Sequence, residues 1–202
     1  MADKSEARAK AMRAIQQGLF DRAHTTTHSY ELIVAQRPAD HVDFDRLVMS
    51  KLRLVDAALD GFSQYELTVS KEFSNLNDVM HGGAYGVVFD MATTSALNPL
   101  ARPDFYFFMG GVTRVLNISY LRGVPIGTVV LLSSKVIQIG KKMAMIKGEM
   151  TSLDGKTIYA TAEHHKVNAL PNPQHLEYRV PWDDEVEAEI QRQDKRETAT
   201  KL

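Results

Sequence analysis

One helix-length segment, HGGAYGVVFDMATTSALNPL beginning at His81, is followed only by strand-length runs as far as residue 167, and that order leaves few folds open. Ala84, Val87, Val88, Met91, Ala92, Ser95 and Ala96 recur at helical spacing, and Asn98-Pro99 closes the segment. Gly82, Gly83 and Gly86 weaken helix propensity, which makes sense if something must approach the helix backbone closely. Runs at 111–121, 127–139, 142–151 and 156–167 follow, with Gly140-Lys141 and Asp154-Gly155 between consecutive runs. Asp-Gly is a strong hairpin signal. Ahead of the helix, Tyr65, Leu67, Val69 and Phe73 alternate with polar residues as a half-buried strand. Strand, helix and four antiparallel strands predict an α+β fold, an antiparallel sheet wrapped on one long central helix.

The ends read differently. Residues 1–59 are predicted to be an N-terminal helical extension, with Met12, Ile15 and Leu19 at helical spacing and RLVMSKLRLVDAAL (46–59) as a further helix. Asp3, Glu6 and Asp21 argue against a mitochondrial presequence, which avoids acids. Residues 24–45 show no period. The folded domain is predicted over 60–170, and 171–202 as a charged C-terminal tail, a solvated helix or disorder without assigned function.

Composition removes several chemistries. With no cysteine in 202 residues there is no disulfide, thiolate zinc site, iron–sulfur cluster or thiol nucleophile. A net charge of −1 gives no field to attract nucleic acid or an anionic membrane, and no apolar run reaches spanning length. The expected compartment is the cytoplasm. The terminal Thr200-Lys201-Leu202, one residue from Ser-Lys-Leu, keeps the peroxisome as the alternative. His24, His28, His41 and His175 show no ligand spacing, and His164 and His165 point to opposite faces of a strand, so no metal is expected. No Gly-x-Ser-x-Gly elbow is present.

What remains is Asn75 to Gly83 and the helix that carries Asp90. Gly82 and Gly83 open the helix, so their N–H groups lack intrahelical acceptors and sit at the positive end of its dipole. Without Cβ atoms they admit a substrate oxygen, the arrangement that holds a developing oxyanion. Asp90 lies among Val87, Val88, Phe89, Met91 and Ala92, where a carboxylate is costly unless satisfied or used. Asn75 offers a neutral amide. A glycine-rich loop with a locally paired Asp90 is the plainer alternative. Gly82 and Asp90 are eight residues apart, roughly 12 Å along one helix, too far to act on one carbonyl within one subunit.

The stretches Asn75 to Leu97, Val112 to Leu121 and Asp154 to Lys166 resemble the hotdog-fold acyl-CoA thioesterases. The nearest branch is that of the phenylacetate-pathway enzyme and the animal thioesterase superfamily members, over residues 60–168. The motif is Asn-x5-His-Gly-Gly with Asp nine residues after the His. The resemblance implies a thioester hydrolase with Asp90 as base or nucleophile, Asn75 positioning water or carbonyl, the Gly82 amide in the oxyanion hole, and His81 supporting the turn. Thr113 stands where serine is usual, and Asn77-Asp78-Val79-Met80 and His165 also depart from the pattern. Gly83, Arg114, Arg122, Lys141, Lys142 and Lys166 are the substrate-binding candidates, the cations for coenzyme A phosphates. Coenzyme A enters as part of the substrate and no cofactor is expected. The family pairs its subunits so that the Gly end of one helix meets the Asp of the other, which implies a homodimer, alone or as a dimer of dimers. Phe105 to Phe108 are candidates for the acyl pocket. A noncatalytic module binding an acyl or polyketide ligand or a protein is the rival reading. A hydratase or dehydratase is another, although its Asp/His or His/Glu pairing is not evident in the central helix.

Overall fold

Six antiparallel strands form one sheet in the computed structural model, which describes residues 4–17, 44–102, 105–106, 110–169 and 181–200. Expectations for Leu19, His24, His28, His41, Phe107, Phe108, His175, Lys201 and Leu202 lie outside those residues. Strands β1 (Leu52–Ala58), β2 (Phe62–Thr68), β3 (Val112–Tyr120), β4 (Val129–Ile139), β5 (Met143–Ser152) and β6 (Ile158–Val167) lie in the order β1-β2-β4-β5-β6-β3. Three α-helices other than the central one are described: α1 (Lys4–Ile15), the short α2 (Phe44–Met49) and α4 (Pro181–Thr200). The central helix α3 (Gly82–Ser95) comes between β2 and β3 and carries the chain across the sheet to its far edge.

Alternation decides which face of the sheet meets α3. Tyr65 and Leu67, Val130 and Leu132, Ile146 and Met150, and Ala160 and Ala162 all point inward and are buried, as are Val88, Phe89 and Ala92 of the helix. Each large apolar side chain so buried contributes about 1.5–3 kcal/mol. Gly148 in β5 sets the approach. A Cβ there would lie 2.9 Å from Thr93 Cγ2 and 3.0 Å from Phe89 Cδ1, so only glycine lets α3 sit this close.

The helix predicted over 46–59 is corrected. Helix α2 ends at Met49, and β1 pairs with β2 through the turn at Asp60-Gly61, where Gly61 has φ +83°. The sheet therefore begins at Leu52 rather than after residue 59. A bulge between Leu54 and Asp56 shifts the strand's phase, so Leu52, Leu54 and Ala57 face the core. That spacing imitates a helix.

Helix α1 packs its buried Ala11 and Ile15 against the core beside β1. Arg8 donates to the Val55 carbonyl and pairs with Asp56, which occupies the outer rim of the edge strand. The C-terminal segment forms α4 as an ordered helix. Val186 and Ile190 pack on Ala14, and Lys10–Glu189 (2.8 Å) and Arg13–Glu185 (3.5 Å) flank the contact. Phe105 is half-buried and Tyr106 buried, ring against ring at 5.0 Å, with the Tyr106 hydroxyl donating to Gly140 O. Tyr106 packs with Leu97, Val136 and Ile146, so this pair fills the core beyond α3 rather than a ligand pocket.

Candidate active site

The loop before α3 is closed on itself. Asn75 N–H donates to Val79 O (2.8 Å), His81 N–H to Phe73 O (2.7 Å), and Ser74 bridges Met80. Asp78 at φ +56° makes the turn. The Asn75 side-chain oxygen accepts from Asn77 N–H (2.8 Å), which fixes the amide orientation. Among the described residues nothing accepts from its Nδ2, so Asn75 presents a free N–H donor.

His81 caps α3, its Nδ1 accepting from Gly83 N–H at 2.9 Å. The expectation that Gly83 binds substrate through that amide is corrected, because its N–H is already donated to the His81 cap. Gly82 N–H has no acceptor among the described residues. Nor does packing require glycine there. A Cβ on Gly82 would meet Tyr120 at an ordinary 3.9 Å, and one on Gly86 would meet nothing within 4 Å. Glycine in a helix costs about 1 kcal/mol relative to alanine, so these positions keep open space beside the backbone at a price in stability.

Asp90 sits two turns on, its side chain 38% exposed. Thr113 Oγ1 donates to its Oδ1 at 2.6 Å, while no described hydrogen bond engages Oδ2. A bulge between Thr113 and Val115 makes this contact possible. Leu116 and Ile118 of β3 pack toward the core, so regular alternation would turn Arg114 inward. The bulge turns Thr113 in and leaves Arg114 exposed, its guanidinium reaching Met143.

Sequence reasoning missed His164. Its side chain is fully buried beneath Asp90, with Nε2 2.9 Å from Thr113 Oγ1 and 3.2 Å from Asp90 Oδ1, and Nδ1 2.6 Å from Thr93 Oγ1. The available signal was alternation on β6, where Ala160, Ala162, His164 and Lys166 share the inner face. His165 faces the other way and meets Glu163 at 2.9 Å. Lys166 is also inward, 3% exposed, donating to Thr94 Oγ1 at 2.8 Å. That placement corrects its candidacy for coenzyme A phosphates, since its charge lies under the helix rather than on the surface. Arg114, Arg122, Lys141 and Lys142 are exposed. Arg122 borders a cleft of about 230 Å³ with Gly82, Tyr85 and Tyr120, whereas Lys141 and Lys142 lie at the β4–β5 turn, on the Arg114 side. Among the described residues no three His, Asp or Glu side chains converge as a metal would need.

Burial pushes the His164 pKa down from 6.5 to about 4, with the Lys166 charge adding to the shift, Asp90 opposing it and His165 adding a little. Burial likewise lowers Lys166 to about 8, again against Asp90. His164 is therefore neutral at pH 7. The unfolded chain takes up this proton near pH 6.5 and the folded chain only near 4, so folding stability falls as pH drops through that window. Thermal melts at pH 7 and 4.5 are expected to show a larger loss for the natural chain than for His164→Gln, which lacks the titration.

Residues 77–159 match the model of the thioesterase superfamily. Acyl-coenzyme A thioesterase 13 of Mus musculus is 28% identical over 123 residues, 61% of this chain and 83% of that protein. The Homo sapiens protein of the same name is 28% identical over 124 residues, 61% and 84% of the two chains. Zebra fish thioesterase superfamily member 2 superposes with a TM-score of 0.55 at 27% identity, covering 69% of this chain and 94% of that one. The E. coli PaaI protein of the phenylacetic acid degradation operon shares the fold at 17% identity, with a TM-score of 0.51 over 71% and 94% of the chains. A sheet wrapped on one helix, a helix N-terminus with an unused amide and an anchored carboxylate two turns on thus lie in a domain that has the hotdog fold of these structures and whose residues 77–159 are similar to the thioesterase superfamily.

Proposed function

We propose that this chain hydrolyses acyl-CoA thioesters to a carboxylic acid and free coenzyme A. The observation that carries the reading is the division of labour at Asp90, where Oδ1 is held by Thr113 and Oδ2 is unengaged on a part-exposed side chain. A carboxylate so fixed can take a proton from water with one oxygen while the other is restrained. Water then adds to the thioester carbon. Gly82 N–H and Asn75 Nδ2–H, donors around the start of α3 with no acceptor among the described residues, hold the oxyanion. Collapse expels the thiolate, which takes the proton from Asp90. If Asp90 instead attacks the carbon itself, an anhydride forms and water hydrolyses it. Solvent oxygen appearing in Asp90 after a single turnover identifies that second route.

The helical distance from Gly82 to Asp90 supports a site shared by two copies, each supplying one half. Edge strand β3 supports the same reading, with Val112 59% and Tyr120 55% exposed. Arg114, Arg122, Lys141 and Lys142 are the cations left on the surface for the coenzyme A phosphates. Acyl-coenzyme A thioesterase 13, the relative aligned over 61% of this chain, bears the name of the same reaction. A hydratase requires a histidine beside the carboxylate and within reach of substrate. His164 is beside Asp90 but wholly buried behind it, which argues against that alternative. The absence of cysteine supports a reducing compartment, and we assign the cytoplasm. A panel of acyl-CoA thioesters read by thiol release tests the proposal. Release above the uncatalysed rate for at least one acyl group is expected, and silence across short, long and aromatic acyl groups would overturn it.

A further inference from the structure

We propose that His164 is a positioning residue for Asp90, held by Thr93 as the Nε2–H tautomer so that the Thr113 hydroxyl proton is directed onto the carboxylate. The inference rests on the thioesterase reading and extends it to residues behind the site. Four groups lie in series. Thr93 Oγ1 is 2.6 Å from His164 Nδ1, His164 Nε2 is 2.9 Å from Thr113 Oγ1, and Thr113 Oγ1 is 2.6 Å from Asp90 Oδ1. Each hydroxyl owns one proton, and a neutral imidazole owns one between two nitrogens. With a neutral ring, only two arrangements give both nitrogens of His164 a partner.

In the first, Thr93 donates to Nδ1, Nε2–H donates to Thr113, and Thr113 donates to Asp90. In the second every proton is reversed. Thr93 donates to Phe89 O, also within reach at 2.6 Å, Nδ1–H donates to Thr93, and Thr113 donates to Nε2. The second arrangement leaves Oδ1 without a donor and faces it with the nitrogen lone pair at 3.2 Å. The first leaves Thr93 Oγ1 2.6 Å from Phe89 O with no proton between two neutral oxygens, the second leaves a charged carboxylate oxygen without its donor, and the charged group decides: an ionised Asp90 selects the first. Once Oδ2 of Asp90 has taken a proton from water, Oδ1 becomes a neutral and weaker acceptor, so the selection of that tautomer is relaxed. Full burial of His164 keeps water from breaking the series. Its companions on this face, Lys166 on Thr94 and the part-exposed Asp90, are the charges that bear on the ring, and His165 points away.

The test is a nitrogen-15 measurement of the His164 ring in the full-length protein at pH 7, with Thr93→Val and Thr93→Ser as variants. The natural chain is expected to show Nε2 protonated and Nδ1 bare. Thr93→Ser keeps that state. Thr93→Val, nearly the same shape but unable to donate, loses the single tautomer and lowers kcat by about 10- to 100-fold, the worth of one hydrogen bond to a charged group, with little change in KM. A ring protonated at Nδ1 in the natural chain overturns the inference. So does a Thr93→Val protein with an unaltered tautomer, or equal kcat losses in Thr93→Ser and Thr93→Val. The ring measurement needs no substrate. Failure of the thioesterase reading shows separately, as a natural chain silent on every thioester while its ring spectrum is unaffected.

Discussion

Asp90→Asn is expected to reduce kcat on the best thioester by about 10³-fold, the middle of the range for a positioned acid–base group. Thr113 donates at the Oδ1 position, so the new amide turns its oxygen there and leaves NH2 where the reacting oxygen stood. That group can neither take a proton nor attack a carbon. Volume is kept and the side chain is 38% exposed, so the melting temperature should barely move. Steady-state kinetics beside a thermal melt check both halves. Full turnover in a folded variant would remove Asp90 from the mechanism.

Mixing two dead proteins should restore activity. If Asp90 of one copy completes the site begun by Asn75 and Gly82 of another, Asp90→Asn and Asn75→Ala homodimers each lose both sites. In a mixed dimer one site draws its intact Asn75 from the first chain and its intact Asp90 from the second. The other site has lost both groups. Random pairing makes half the dimers mixed, and each has one working site of two, so activity approaches roughly a quarter of the natural protein's. Differently tagged chains that co-purify prove exchange. Mixed dimers as inactive as their parents would place the whole site within one copy.

The sheet and its central helix were legible because their periods are long and clean. α3 ends at Ser95, a few residues ahead of the expected stop at Asn98-Pro99, and the Asp154-Gly155 turn joins β5 to β6. What escaped was governed by single-residue events. A bulge gave β1 a helix-like spacing, and a second bulge decided that Thr113 rather than Arg114 faces Asp90. Periodicity averages over such irregularities. Asn75, Gly82 and Asp90 were visible because odd residues stood in an apolar or glycine-rich setting. Gly83 and Lys166 could not be judged the same way. One depends on where a neighbouring histidine ring points and the other on which side of a strand it falls. His164 was hidden because its partners come from a helix and a strand 71 and 51 residues away.

The two rims of the sheet have unequal prospects. β1 lies under α1, with Arg8 occupying a carbonyl that a foreign strand would otherwise seek. Among the described residues β3 has no such cover, and all but two of its nine residues are exposed. A chain with one blocked rim and one open rim can recruit a neighbour on one side only. When two identical copies meet rim to rim, each consumes the other's vacancy, and nothing is left to recruit a third. If copies of this chain pair through β3, the unequal rims act as a counting device: strand-by-strand growth halts at a closed pair, and the same β3 whose exposure would admit a neighbour would also keep the protein from becoming a fibre.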